Sequence, residues 1–76
     1  MTVDYDSPEP PYRQLAAILR ARIERGVLAG TVPSITTLMQ EFGLARNTVR
    51  KAIQLLADEG LVRVVPGWGT FVTPGH

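Results

Sequence analysis

The chain has 76 residues, no cysteine and a single histidine, His76, at its last position. This length corresponds to one small domain, and the composition excludes disulfides, thiolate metal sites and histidine-based catalysis. It holds no apolar run long enough to span a membrane, and its acidic start is unlike a signal peptide. We therefore expect a cytoplasmic protein that is not an enzyme, with no catalytic residue, no metal and no cofactor.

The formal net charge of +1 conceals an uneven distribution. Asp4, Asp6 and Glu9 lie in the first nine residues, which contain no base, so residues 10–76 hold eight bases and four acids. We expect residues 1–9 to form a flexible acidic leader, and residues 10–76 to form a basic domain with a net charge of +4. This charge favours a polyanionic partner, although many ordinary protein surfaces carry as much.

The first predicted element is a helix from Pro11 to about Arg25, since proline is tolerated in a first turn. Its apolar residues recur at helical spacing and form one face: Tyr12, Leu15, Ala16, Leu19 and Ile23. After Gly26 and Gly30, Thr31–Pro33 is predicted to be a short extended connector.

Two further helices are predicted on either side of Gly43. The first covers Ile35 to Phe42, with Ser34 as its N-cap and a buried stripe of Leu38, Met39 and Phe42. Gly43 can adopt the left-handed conformation that ends a helix, and Leu44 is expected to turn back into the core. The next helix covers Arg46 to Asp58 and ends before Gly60. Its inward residues are Val49, Ala52, Ile53 and Leu56, and its outward residues are Arg46, Asn47, Arg50, Lys51, Gln54 and Asp58.

The remaining residues predict a β-hairpin. Leu61–Val65 and Thr70–Thr73 are typical of two short strands around Pro66-Gly-Trp-Gly69. An isolated hairpin is marginally stable in water, so it must pack on the helices. The predicted fold is mainly α with a small β-hairpin: a winged helix-turn-helix with three helices and a two-stranded wing.

The third helix carries the residues most suited to binding a polyanion. Arg46, Arg50 and Lys51 crowd its first turns, where the helix dipole makes cations mildly unfavourable unless an anion approaches. Arg46 and Arg50 suit phosphate or guanine, and Asn47 suits adenine. Thr48, beside the apolar stripe, suits a phosphate. The alternative is that these residues form an ordinary solvated helix face.

The sequence resembles the DNA-binding domain of the gluconate-operon repressor (GntR) family of bacterial transcription regulators. The resemblance covers roughly residues 11–73. It rests on Pro33-Ser34, on the Arg-x-Thr-Val-Arg pattern of residues 46–50, on Gly60-Leu-Val62 and on the Gly-x-Gly-Thr-Phe-Val pattern of residues 67–72. It implies a homodimer on a near-palindromic double-stranded operator, with the third helix in the major groove and the wing tip near the minor groove. By that analogy Arg46, Asn47, Thr48, Arg50 and Gly67 contact DNA.

Three positions of the helix-turn-helix depart from the family pattern. Thr36 stands where the family has an arginine that contacts phosphate, so this position can donate a hydrogen bond but carries no charge. Met39 replaces a small residue, which suggests a looser packing of the second helix on the third. Ala45 replaces the usual serine cap and forfeits about 1 kcal/mol.

Trp68 stands at the wing tip, where the family has a basic residue. It could contact sugar or base edges in the minor groove, or a partner protein. We favour a structural role, in which the ring folds back over its hairpin and shields Val65 or Phe71.

Family members carry a C-terminal domain that binds a small effector and supplies the dimer interface. Because this sequence ends directly after the wing, we expect no small-molecule effector within the chain. The predicted function is a sequence-specific DNA-binding transcriptional regulator, more specifically a repressor. The alternative is a winged-helix module or accessory subunit for protein–protein interaction, with an incidental basic face; the uncharged Thr36 and the tryptophan of the wing favour it.

Overall fold

The computed structural model describes residues 3–4, 6–26 and 30–73. Three helices precede most of the sheet: α1 spans Pro11–Glu24, α2 spans Ile35–Phe42 and α3 spans Arg46–Asp58. Three short strands form one antiparallel sheet: β1 spans Thr31–Val32, β2 spans Val62–Val65 and β3 spans Gly69–Val72. The bounds of α2 and α3 agree with the sequence-based prediction, and α1 ends one residue earlier than expected.

Helix α1 packs against α3 through a continuous apolar face. Pro11 occupies its first turn, where the missing N–H needs no partner. The face contains Leu15, Ala16 and Leu19, each fully buried, as well as Ile23. Ile18 is also buried, which the predicted stripe did not include.

Helices α2 and α3 meet at the predicted tight turn. The Ser34 side chain accepts a hydrogen bond from the Thr37 backbone N–H, and so caps α2. At the other end, Gly43 has φ +66°, a conformation that residues with a Cβ rarely adopt. Its N–H and that of Leu44 both bond to the Met39 carbonyl, and Leu44 is buried. This is the predicted helix-turn-helix.

The sheet has three strands instead of the predicted two. In addition, β2 starts one residue later than predicted, and β3 starts and ends one residue earlier. The residues expected to be an extended connector form β1, which pairs with β3 so that Thr31 faces Phe71 and Val32 faces Thr70. The Val72 N–H also bonds to the Gly30 carbonyl. Two residues are too short to show the alternation from which a strand is predicted, so only the long-range pairing reveals β1.

The core lies between α1, α3 and the base of the sheet, and α2 contributes Leu38 to it. Its buried members come from every helix and from two strands: Leu15, Ala16, Leu19, Ile23, Val32, Leu38, Leu44, Val49, Ala52, Ile53, Leu56 and Val62. Burial at about 25 cal/mol per Å² of apolar surface is the main force that holds the helices in this arrangement.

The segment before α1 contacts the helix through Gln14. Its amide accepts from the Asp4 N–H at 2.6 Å and donates to the carbonyls of Asp4 and Glu9, each at 2.7 Å. Val3 is half-buried against the core. Part of the proposed leader, residues 1, 2 and 5, lies outside the described residues, and its flexibility stays a prediction.

Candidate nucleic-acid interface

Helix α3 presents a polar face to solvent because its four apolar residues at helical spacing are all buried on the other side. Arg46, Asn47 and Arg50 are exposed on the first turns of this face. Their side chains form no hydrogen bond or ion pair with any residue that the structure describes. Thr48 is half-buried beside the apolar stripe, as predicted. The two guanidinium groups are therefore free to bind an anion.

Two of the three arginines of α1 are placed differently. Arg20 donates two hydrogen bonds to the Glu59 carboxylate, at 2.9 and 2.6 Å, and the hydrogen bond raises the pKa of Arg20. Arg22 donates to Glu41 at 2.6 Å, which lowers the pKa of Glu41. The first pair joins α1 to the residue that directly follows α3, and the second joins α1 to α2. The charge of these two arginines is thus matched within the molecule, while that of Arg46 and Arg50 is not.

Further along the α3 face, the side chains of Lys51 and Gln54 interact with neighbouring residues. The Lys51 ammonium lies 5.9 Å from the centre of the Tyr12 ring, within the range of a cation–π interaction. Gln54 donates to Asp58 at 3.0 Å. Asn47, Arg50, Lys51 and Gln54 together line a shallow hollow of about 330 Å³. The side chains nearest the start of α3 are therefore those with the fewest interactions within the described part of the protein.

An open groove of about 410 Å³ separates the start of α2 from the wing. It contains Thr36, Gly67 and Trp68, three of the candidate DNA-binding residues of the sequence. None of the described residues that line it is charged: Thr31, Val32, Ser34, Ile35, Thr36, Val64, Val65, Pro66, Gly67, Trp68, Gly69, Thr70 and Phe71. A polyanion could enter this groove without meeting a carboxylate.

A smaller hollow of about 140 Å³ connects this groove to α3. Arg50 and Gln54 line it from the helix, and Val64 and Thr70 line it from the wing. The third helix and the wing therefore form one continuous surface. Val64 and Thr70 were not identified from the sequence, because the register that pairs them across β2 and β3 depends on the folded sheet.

The tip of the wing is a turn after β2 in which the Trp68 N–H bonds to the Val65 carbonyl at 3.0 Å. Gly67 has φ +79°, so a side chain at this position would strain the turn. Trp68 is 81% exposed. The prediction that its ring folds back to shield Val65 or Phe71 is therefore wrong: two flanking glycines offer the ring no side chain to pack on.

Among the described residues, no helix is both long and apolar enough to cross a membrane. The same part of the chain contains no cluster of acidic or histidine side chains suited to a metal ion.

Comparison with solved structures shows the same fold. The structure "AraR(DBD) in complex with operator ORX1" matches with a TM-score of 0.84 and 33% identity, over 96% of this chain and 99% of that one. YtrA from Sulfolobus acidocaldarius, described as a GntR-family transcription factor, matches with a TM-score of 0.87 and 32% identity, over 99% of this chain and 81% of that one. These similarities confirm the winged helix-turn-helix.

Curated relatives agree with this result. An uncharacterised HTH-type transcriptional regulator of Rhizobium meliloti is 48% identical over 80% of this chain, and the HTH-type transcriptional repressor NagR of Bacillus subtilis is 37% identical over 96%. The chain spans only 26% and 31% of these two relatives. The family model for bacterial regulatory proteins of the gntR family matches residues 11–72, and the chain belongs to this family.

Proposed function

We propose that this chain binds double-stranded DNA in a sequence-specific manner and acts in transcriptional regulation as a repressor. The observation that carries the proposal is the pair Arg46 and Arg50, exposed on the first turns of α3 without a partner among the described residues. Unmatched cations at the positive end of a helix dipole are mildly unfavourable, and an anionic backbone reverses that effect. The charge of the chain, which is basic beyond residue 9, acts in the same direction.

The residues of α3 divide by reach and chemistry. Arg46 and Arg50 can bind guanine edges or phosphates through their planar forks, and Asn47 can pair with adenine. Thr48, close to the apolar stripe, is placed to donate to a phosphate. Lys51 lies further along the face and adds charge. In this proposal α3 enters the major groove and supplies most of the sequence preference.

Thr36 and the wing line the groove between the start of α2 and the wing, and in this proposal they add contacts with DNA beside those of α3. Thr36 is exposed at the start of α2, where its hydroxyl can donate to a phosphate without contributing charge. Gly67 and Trp68 line the same groove. In this proposal they approach the minor groove when α3 enters the major groove. Their contribution is contact with the sugar and base surfaces of the DNA.

We further propose that two copies bind as a homodimer on a near-palindromic operator in the bacterial cytoplasm, at the nucleoid. A single copy has few phosphate-binding cations, so binding by one copy should be weak and two half-sites should bind far more tightly. One solved relative is a DNA-binding domain in complex with an operator, and NagR is described as a repressor. No effector, cofactor or metal enters this proposal.

Selection of bound sequences from random double-stranded DNA tests the proposal. We expect enrichment of a symmetric motif with half-site centres about one helical turn apart. A motif without symmetry would contradict the dimer while preserving DNA binding. If no sequence is enriched, the regulator function is wrong.

The salt dependence of affinity separates this function from a protein-interaction module. Binding to the enriched duplex should weaken steeply as salt rises, with a log–log slope of about −0.9 for each phosphate contact. Affinity for a protein partner that does not respond to salt would argue instead for the protein-interaction module, which the large exposed surface of Trp68 also favours.

A further inference from the structure

The wing carries the exposed apolar surface of the described chain. Trp68 is 81% exposed and Val64 is 49% exposed, and they are the two large hydrophobic residues that the described part of the chain leaves exposed. A tryptophan in water forgoes the stabilisation that burial of its large apolar surface would give. Two such residues on one small hairpin indicate a contact surface.

Trp68 lies in the turn at the tip of the wing, where its ring is exposed to solvent. The Trp68 N–H closes the turn by bonding to the Val65 carbonyl, and Gly67 and Gly69 flank it. At either glycine, an added Cβ would have no other residue within 4 Å. The tip is therefore narrow, and its indole is the only large side chain there. Such a shape can enter a groove that excludes a broad surface.

The charge of the wing indicates how the tip makes contact. Arg63 is the one cation of the described hairpin. It pairs with Phe71, two residue pairs and about 7 Å along the strand from Val65 and Gly69, and the tip lies beyond that last pair. Adjacent strand residues point to opposite faces, so Arg63 faces away from the side on which Val64 lines a hollow together with Arg50. The tip therefore contacts its partner through apolar surface and not through charge.

The apolar wing surface is continuous with the α3 face, and this continuity indicates that both bind the same ligand, DNA. Trp68 borders the groove that contains Thr36, and the neighbouring hollow joins that groove to Arg50. A ligand bound along α3 would therefore extend to the wing tip. Apolar side chains that enter the minor groove act as wedges that partly unstack a base step and bend the duplex.

We propose that Trp68 is an apolar minor-groove wedge that makes this protein select operators with a deformable pyrimidine–purine step beneath the wing. This inference rests on the proposed DNA-binding function and extends it to a second source of specificity. Unstacking costs least at TA and CA steps, whereas A-tracts are stiff with a narrow, electronegative minor groove that favours cations. A neutral indole gains little from such a tract, and it gains most where the stack opens.

Affinity measurements with Trp68→Ala test the contribution of the ring. On a duplex carrying the enriched motif, we expect this variant to bind about tenfold more weakly, with an unchanged salt slope, because an aromatic contact to a base releases no counterion. Trp68→Phe should retain most of the affinity. The matched control Arg63→Ala keeps the indole and should retain the preference for a deformable step.

The step preference is the second measurement. Two duplexes are compared that differ only at the base steps under the wing: one has TA or CA steps there and the other has an A-tract. The parent protein should bind the duplex with the deformable TA or CA steps more tightly. Trp68→Ala should lose that preference. Trp68→Arg should reverse it, because arginine favours the narrow groove of the A-tract.

Fluorescence supplies a direct reading, since Trp68 is the only tryptophan of the chain. Its emission should be quenched on saturation with the TA duplex, and less so with the A-tract duplex. If Trp68→Ala binds both duplexes as the parent does and the emission of the parent does not change on binding, the proposal that Trp68 is a wedge is wrong. Salt-dependent binding of the parent would in that case still support the DNA-binding function. If the parent binds no duplex, the function itself fails.

Discussion

Ser34 and Ala45 occupy equivalent positions before α2 and α3, with nearly the same backbone angles. Ser34 has φ −62° and ψ 159°, and Ala45 has φ −70° and ψ 155°. Only Ser34 has a side-chain oxygen, which accepts from the Thr37 N–H and lies 2.9 Å from the Thr37 hydroxyl. Of these two helices, the one that carries the candidate DNA contacts therefore starts without a side-chain cap.

Ala45→Ser should therefore stabilise the protein. The backbone is already extended as an N-cap requires, so a hydroxyl there can accept from a free N–H of α3 and add about 0.5–1 kcal/mol to the free energy of unfolding. Ser34→Ala should lower it by about 1 kcal/mol. Urea denaturation of both variants measures these changes, and a destabilised Ala45→Ser protein would contradict the equivalence of the two positions.

Arg46→Ala and Arg50→Ala should weaken DNA binding without changing the melting temperature appreciably. Both residues are exposed and form no ion pair with a described residue, so their removal leaves the fold intact. Where an arginine binds a phosphate, its loss should reduce the magnitude of the salt slope by about 1, and where it reads guanine, specificity at one base pair should relax.

Arg25→Ala is the matched control for these variants, since Arg25 is an exposed arginine just beyond the end of α1 and does not line either of the two hollows that Arg50 lines on α3. It should bind the selected duplex almost as tightly as the parent. Should Arg46→Ala and Arg50→Ala both bind as tightly as this control, α3 would not be the recognition helix.

Glu41→Gln should reduce stability at neutral pH and have no effect in acid. The hydrogen bond from Arg22 lowers the pKa of Glu41 in the folded protein, so the pair stabilises above the unfolded pKa of about 4.3 and its contribution is lost as the pH falls through the folded pKa. The pair is partly exposed, and we expect a loss of only about 0.2–1 kcal/mol, which added salt diminishes. Thermal unfolding of parent and variant across this pH range measures it. A difference that persists below the folded pKa would show that the ion pair is not its cause.

Val32→Thr tests whether β1 is part of the sheet. Val32 is buried against the core while Thr31, its neighbour, is exposed. Burying a hydroxyl without a partner costs about 1–3 kcal/mol, so we expect chemical denaturation of Val32→Thr to show a loss in that range. Thr31→Val should change stability by less than about 0.5 kcal/mol. A shift of one residue in the pairing would exchange the two results.

The sequence by itself determined the helices and the class of fold. Helical spacing of the apolar residues in α3 identified its buried and exposed faces, because a residue every 100° around a helix places them without knowledge of any partner. The glycine at position 43 and the serine at position 34 marked the helix ends through local backbone chemistry, and both act as predicted. The motifs of residues 46–50 and 67–72 identified the family.

Tertiary structure alone decided how the wing is built and what its tip exposes. Strand β1 is a strand because β3 lies beside it, and two residues contain too little pattern to predict this. The exposure of Trp68 likewise depends on which residues surround the ring after folding, and the sequence favoured the wrong answer. Arg50 and Val64 line the same hollow only because of the way the sheet packs on α3. Local pattern determines an element and its faces, whereas contacts between distant residues exist only once the core has brought them together.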